Sequence, residues 1–329
     1  MKVLVTGSSG HLGEALMRTL RDAKYEVIGI DILPSPFTMH VGSITERDFV
    51  YRAMTGVERV FHAATLHKPH VATHSRQDFV DTNITGTLNL LEEAVAAGVE
   101  SFIYTSTTSV FGDALVRPPS APAAWVTEDV RPIPKNIYGV TKAAAEDLCQ
   151  LFHRNQKLPC LVLRTSRFFL EADDDKDKRD AFSDDNHKAN EYLHRRVDIA
   201  DIVNAHLLAA ERAPAIGFGR YIISATTPFA PEDLPLLRQD APGVVARRVP
   251  AYTAEYARRG WAMTPAIDRV YVNERARIDL GWAPRYDFAH VIERLRANED
   301  FRNPLAREIG IKGYHPDTFA DGPYPVENV

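Results

Sequence analysis

Cysteine is nearly absent from this 329-residue chain: Cys149 and Cys160 are the two that occur. Two thiols cannot make a disulfide framework, so they read as free, buried cysteines. Long apolar runs are missing too, none approaching the ~20 residues that cross a bilayer. Nor is there an excess of positive charge. The net charge of −5 supplies no attraction for nucleic acid or anionic lipid, and neither is expected as a partner. The first residues enter an apolar strand without the cationic segment and apolar core of a signal peptide, so the expected location is cytoplasmic. No internal repeat stands out. What remains is an ordinary globular composition, 45% hydrophobic and 25% charged, on a chain long enough for one large unit or two fused ones.

The most informative stretch is residues 2–31. Lys2-Val-Leu-Val-Thr6 is a short apolar run of the kind that makes a buried parallel strand. Gly7-Ser-Ser-Gly10-His-Leu-Gly13 follows, and Leu12, Ala15, Leu16, Thr19, Leu20 and Ala23 then recur at helical spacing. Val27, Ile28 and Ile30 form a second strand, closed by Asp31. A strand, glycine turn, helix, strand and acid within about thirty residues is the context of a dinucleotide-binding turn. Gly7 permits the tight turn, Gly10 lets a pyrophosphate approach the backbone, and Gly13 lets helix and strand pack closely. The unpaired N–H groups of the helix start then face phosphate. Asp31 accepts hydrogen bonds from an adenosine ribose and repels a 2′-phosphate, which favours NAD over NADP.

Strands and helices go on alternating. Helices are expected over 46–55, 78–97 and 136–156, and strands at 57–61, 101–105 and 160–163. The proline-rich segment 118–134 reads as loop. This order predicts an α/β fold, a doubly wound parallel sheet covered on both faces, with ligands beyond the carboxyl ends of the strands. The later chain is less regular, with helices at 200–212 and 288–297 and a short strand at 221–223. The predicted division is an NAD-binding part over 1–165 and a mainly substrate-binding part with a tail over 166–329, of which 200–223 returns to the first. The tail beyond Asn303 carries glycines and prolines at short intervals, and Tyr314, Phe319 and Tyr324 favour a packed lid over disorder.

Tyr138-Gly-Val-Thr-Lys142 opens the helix expected over 136–156, and the i,i+4 spacing puts phenol and ammonium on one face. A free phenol has a pKa of about 10, so it is rarely phenolate at neutral pH. Lowering it by ~3 units takes ~4 kcal/mol, which an ammonium ~4 Å away supplies at an effective dielectric of roughly 20. Tyr138 is thereby a candidate general acid or base for an alcohol–ketone pair, and Lys142 its activator. Thr105-Ser-Thr-Thr-Ser109 follows a predicted strand, so several hydroxyls point at the carboxyl edge of the sheet. One of them can hold a substrate oxygen beside Tyr138, while the others serve turns and caps.

Taken together, Thr6-Gly-Ser-Ser-Gly-His-Leu-Gly13, Asp31, His62-Ala-Ala64, Asn83-Ile-Thr-Gly-Thr87, Thr105-Ser-Thr-Thr-Ser-Val-Phe-Gly112, Tyr138-x-x-x-Lys142 and Leu280-Gly-Trp-x-Pro284 resemble the extended short-chain dehydrogenase/reductase family, the NAD-dependent epimerase/dehydratase group. The resemblance covers the first two-thirds of the chain and resumes around 270–284. It implies a Rossmann domain carrying NAD, a smaller C-terminal substrate-binding domain and a homodimer. Cofactor contacts are implied at Gly7, Ser9, Gly10, His11, Leu12, Gly13, Asp31, Ala63 and Ala64. Implied catalytic roles are Tyr138 as acid/base, Lys142 as ribose anchor and pKa modulator, and Thr107 as substrate-binding hydroxyl with Thr108 beside it. Asn83 is implied as a structural hydrogen-bonder near the site. The expected activity is hydride transfer at a secondary alcohol or ketone of a sugar or sugar-nucleotide-like substrate, by an epimerase or a dehydrogenase. The alternatives are a dehydrogenase or reductase of a small anionic or non-sugar carbonyl compound, and a non-catalytic NAD-binding sensor.

Departures from the family pattern bear on the substrate. Sugar-nucleotide dehydratases follow the threonine with Asp-Glu, whereas Thr108-Ser109 stands here, so dehydration is not expected. Arg167 takes the place of an asparagine. His194-Arg-Arg-Val-Asp198 replaces the usual diphosphate-gripping pattern, and Arg195 is its shifted counterpart if one exists. Arg164 and Arg167 become candidates to clamp a smaller anion by bidentate pairing, and the substrate is expected to be a polar or anionic small molecule. The acidic run 171–185, interleaved with Lys176, Lys178 and Arg179, reads as a solvated loop, and His67, His70 and His74 as a loop beside the cofactor. No metal is expected.

Overall fold

The computed structural model describes residues 1–313, 317 and 319. Among the described residues nine strands form: β1 (Lys2–Thr6), β2 (Glu26–Asp31), β3 (His40–Val41), β4 (Arg59–His62), β5 (Ser101–Thr107), β6 (Ala124–Val126), β7 (Cys160–Thr165), β8 (Phe218–Ile223) and β9 (Arg269–Tyr271). Seven make one parallel sheet in the order β3-β2-β1-β4-β5-β7-β8, and β6 pairs with β9 separately. Within the large sheet β1 lies between β2 and β4, with Thr6 opposite Ile30 and His62. The winding direction reverses there, which opens a crevice beyond the carboxyl ends of β1 and β4.

The central strands are buried on both faces, which is why they read as continuous apolar runs. On one face the helices His11–Asp22 and Ile199–Ile216 bring Leu12, Leu16, Leu20, Ile202 and Ala209 against Val3, Val5 and Ile103. On the other, Gly86–Ala97 and Ile137–Gln156 bring Leu90, Leu91, Ala145 and Cys149 against Leu4, Val60 and Phe102. A separate core forms later in the chain around Tyr192, Leu237, Val244, Tyr256, Val270 and Phe288. The expected doubly wound α/β sheet is therefore present.

Local pattern and structure part company at four places. The helix expected over 78–97 is built in pieces, Arg76–Phe79, a π-helical turn at Val80–Thr85, and Gly86–Ala97. That wide turn carries Asn83. Its side-chain oxygen accepts from the Leu66 N–H at 2.8 Å, and its amide donates to the Leu66 carbonyl at 2.9 Å and the Thr141 hydroxyl at 3.0 Å. A buried amide is thereby satisfied while tying the loop after β4 to the helix that bears Tyr138.

The proline-rich segment is not all loop, because β6 finds its partner β9 more than a hundred residues away. Nor is the acidic run solvated throughout, although its helix Lys176–Ala181 buries none of its residues. Asp173 and Asp174 are buried, the helix Lys176–Ala181 follows, and Asp184–Glu191 begins on a Ser183 cap. Near the end, Pro304–Ile309 is a helix whose Ala306 and Ile309 join the core beside His11–Asp22. Of the predicted lid aromatics, Tyr314 and Tyr324 lie outside the described residues. No described helix is long and apolar enough to cross a membrane.

Candidate active site

The crevice widens into one cavity of about 1370 Å³. Gly7, Ser9, Gly10, His11, Leu12, Gly13, Asp31, Ala63 and Ala64 line one end of it. Thr107, Thr108, Tyr138, Lys142, Arg167 and Arg195 line the remainder. Arg164 is the sequence candidate that does not reach it.

Close packing explains the glycines. Gly7 has a φ of +74°, and a Cβ there would lie 2.8 Å from the Ala64 nitrogen. A Cβ on Gly13 would lie 1.8 Å from the Gly7 carbonyl oxygen, well inside contact distance. Thr6 Oγ1 accepts from the Ala63 and Ala64 N–H groups at 3.1 and 3.0 Å, which holds the end of β4 beside the turn. His62 bridges the Thr6 and Thr87 hydroxyls at 2.8 and 2.9 Å. Burial, aided by the Lys142 charge, holds its imidazole well below the usual range, so His62 is a neutral tie.

Gly10 begins the helix His11–Asp22 without a side-chain cap, so the first helical N–H groups stand available to a ligand. Opposite them, Asp31 accepts from the Ser9 and Leu33 N–H groups at 3.0 Å, one on each oxygen, and each oxygen keeps a second lone pair. The glycine cradle, the uncapped helix start and the carboxylate together fit a dinucleotide such as NAD. His11 is drawn to one side by Glu171 at 2.9 Å. The same Glu171 oxygen accepts the Lys312 and Gly313 N–H groups at 3.1 and 3.2 Å, and the Lys312 ammonium pairs with Glu14. A C-terminal strap therefore crosses the helix start. Glu171 was not among the sequence candidates, and nothing in its local pattern distinguishes it from the other acids of that run.

At the middle of the cavity, Tyr138 and Lys142 occupy the first turns of Ile137–Gln156, whose Asn136 cap accepts from the Gly139 N–H. Thr107 ends β5, and its hydroxyl lies beside the Tyr138 phenol, near enough to oppose the upward shift of its pKa. The Ser109 N–H donates to the same threonine oxygen at 3.1 Å. Lys142 donates to the Thr105 carbonyl at 2.6 Å and sits 4.1 Å over the Tyr104 ring.

The expected lowering of the phenol pKa is reversed. Burial pushes Tyr138 up to about 12, opposed by the Thr107 hydrogen bond. Burial likewise pulls Lys142 down to about 7, against the Glu146 charge. Both side chains lose water, which disfavours either charge, and the ammonium is directed to a carbonyl and a ring face and not to the phenol. The protein's own groups keep Tyr138 a neutral phenol.

The arginines divide. Arg164 is buried, bonded to Glu146 through Nε at 3.0 Å and Nη2 at 2.7 Å, and Ser106 donates to the same carboxylate at 2.6 Å. It ties β7 to the helix Ile137–Gln156 and is not an anion clamp. Arg167 and Arg195 do reach the cavity, already paired. Arg167 meets Asp173, Asp174 at 2.5 Å and Glu191 at 3.4 Å, and Arg195 meets Glu191 at 3.0 Å. Burial alone would raise these carboxyls. The His187 hydrogen bond and the Arg167 charge hold Asp173 well below the usual range, as Arg195 and Arg196 hold Glu191. Asp173, His187 and Glu191 converge within 4.8 Å, but the surrounding guanidiniums already supply the positive charge that a metal ion would bring. His67, His70 and His74 line the cavity with their rings edge to face, successive centroids 4.8 and 5.1 Å apart.

Backbone donors on one wall and a carboxylate on the other place this crevice in the class of Rossmann dinucleotide-binding proteins. Residues 3–222 match the NAD dependent epimerase/dehydratase family, and the chain belongs to that family. NAD is the cofactor that goes with this membership. Among similar curated proteins is an uncharacterised UDP-glucose epimerase, YtcB, of Bacillus subtilis, 30% identical over 185 residues, or 50% of this chain and 55% of the relative. Another is a 3-beta-hydroxysteroid dehydrogenase of Mycolicibacterium neoaurum, 37% identical over 119 residues, or 33% of this chain and 32% of the relative. The chain thus spans from about a third to about half of the length of these curated relatives. A solved short-chain dehydrogenase/reductase superfamily protein from Agrobacterium tumefaciens with bound NAD shares the fold. It is 22% identical with a TM-score of 0.63, covering 94% of this chain and 99% of its own.

Proposed function

We propose that the protein catalyses NAD-dependent hydride transfer at a secondary alcohol or ketone of a sugar-like substrate. The reading is carried by Thr107 and Tyr138 lining the same cavity as the glycine turn, with Lys142 one helical turn along. NAD, when bound, accepts or returns the hydride. The chain's part is to hold one substrate oxygen between the Thr107 and Tyr138 hydroxyls and to move one proton at that oxygen. A neutral Tyr138 donates to a carbonyl oxygen as it gains negative charge. In the oxidative direction it must first lose its own proton, and Lys142, poised near neutrality, is the neighbouring group whose charge favours that loss. The same set serves an epimerase, which keeps NADH bound, and a dehydrogenase, which releases it. A homodimer belongs to the same proposal through the family resemblance.

Tyr138→Phe tests it, because the ring is kept and the proton removed. Turnover is expected to fall at least ~100-fold with NAD binding and fold retained. Near-normal turnover in that variant would take Tyr138 out of the mechanism.

A further inference from the structure

The cations on the cavity wall, Lys142 apart, are already paired with carboxylates. Among the described residues, every lysine and arginine lining the cavity except Lys142 has a carboxylate oxygen within 3.4 Å. At the substrate end the balance is built from buried acids. Asp174 holds both Arg167 and Lys68, each at 2.5 Å, while Asp173 and Glu191 hold Arg167 from the other side. The side chains of Asp173 and Asp174 are 5% exposed and that of Glu191 is 1% exposed. Arg196, the further cation of the cluster, is buried and donates to Glu191 and the Phe169 carbonyl, and it does not line the cavity.

We propose that this site selects an uncharged substrate, a hydroxylated or keto compound without phosphate or carboxylate at the Arg167 wall. Asp173, Asp174 and Glu191 are the residues that impose the choice, acting as built-in counter-ions behind the cavity wall to the cations a substrate anion would otherwise engage. The inference rests on the hydride-transfer reading and narrows its substrate. The reason is electrostatic. An incoming phosphate or carboxylate must either share guanidiniums already neutralised by nearby negative charge or displace them. Displacement takes a guanidinium away from buried carboxylates, which is unfavourable. A hydroxyl or carbonyl oxygen can instead accept from a guanidinium N–H without breaking an ion pair. The anionic class expected from Arg167 and Arg195 as bare sequence positions is thus disfavoured by three buried acids, two of them from a run that looked like surface.

The test titrates NAD-loaded protein with UDP-galactose, galacturonate and galactose in a calorimeter. Wild type is expected to bind neither anion below millimolar concentration. Asp174→Asn, which releases Lys68 and removes one of the three carboxylates on Arg167, is expected to gain at least tenfold in affinity for one of the anions. Adding Arg167→Met should abolish that gain, and galactose binding should not follow the same pattern. Wild type binding either anion tightly, with Arg167→Met weakening it tenfold or more, would overturn the proposal. So would an Asp174→Asn protein that folds, binds NAD and gains no anion affinity. Should Asp174→Asn fail to fold, the wild-type and Arg167→Met titrations still decide. NAD binding and the Tyr138→Phe turnover are read independently. Their failure sinks the hydride-transfer reading, whereas anion capture by wild type sinks the uncharged-substrate inference alone.

Discussion

The two ends of the cavity are made in opposite ways. The cofactor end comes from residues 2–31 and two alanines, and it offers mostly backbone groups in a rigid turn. The substrate end is assembled from side chains at positions 68, 167, 173, 174, 191 and 195, and it is dense in paired charge. A backbone site cannot be retuned without moving the chain, so it suits a ligand common to a whole family. A site of balanced side-chain charges can change preference through one carboxylate with the backbone undisturbed, which suits the part that differs between relatives.

If that contrast is right, the largest effect should come from the rigid end. Gly13→Ala drives a Cβ into the Gly7 carbonyl at 1.8 Å, with no flexible side chain to give way. NAD affinity should fall at least ~100-fold by calorimetric titration, with lower thermal stability. A tolerated alanine would break the comparison.

Next in size is cofactor choice. Asp31→Ser keeps a short polar side chain but removes the negative charge, and the preference for NAD over NADP should drop by roughly tenfold, measured as the ratio of dissociation constants.

Lys142→Met should separate stability from function. With a folded pKa of about 7 against 10.5 for the free group, the buried ammonium weighs against the folded state fully below pH 7. The penalty fades as pH rises toward 10.5. Removing it is expected to raise the melting temperature at pH 7 by about 5 °C while turnover collapses.

The smallest effect concerns acid. Asp173 and Glu191 have folded values below their free values of 3.8 and 4.5, so their contribution is complete above about pH 5 and is lost as pH falls through the folded values. Asp198, raised by burial to about 6, works the other way, and its ionisation above that pH costs stability. Wild type should hold its melting temperature from pH 7 to 5 and lose it below about pH 4. Asp173→Asn, lacking one depressed carboxyl, should show a shallower acid loss.

Much of the fold was legible because parallel strands buried on both faces leave continuous apolar runs and helices leave a recurring apolar stripe. The glycine turn was legible for the same reason, since strand, turn, helix and acid are contiguous. Tyr138 and Lys142 could be paired from spacing alone. The arginines could not be read this way. Arg164 and Arg167, three residues apart, looked alike, yet one ties β7 to a helix and the other faces the cavity. The proline-rich segment hid a strand because its partner is distant in sequence.

The sequence by itself determined the parallel sheet, the site of the dinucleotide and the phenol–ammonium pair, because each depends on residues within a turn or a few turns of one another. Only the tertiary structure decided which groups carry charge. Lys68 finds Asp174 across 106 positions, and the Lys312 backbone finds Glu171 across 141. The protonation of Tyr138 and Lys142 follows from how thoroughly the fold excludes water around them, which no spacing along the chain encodes.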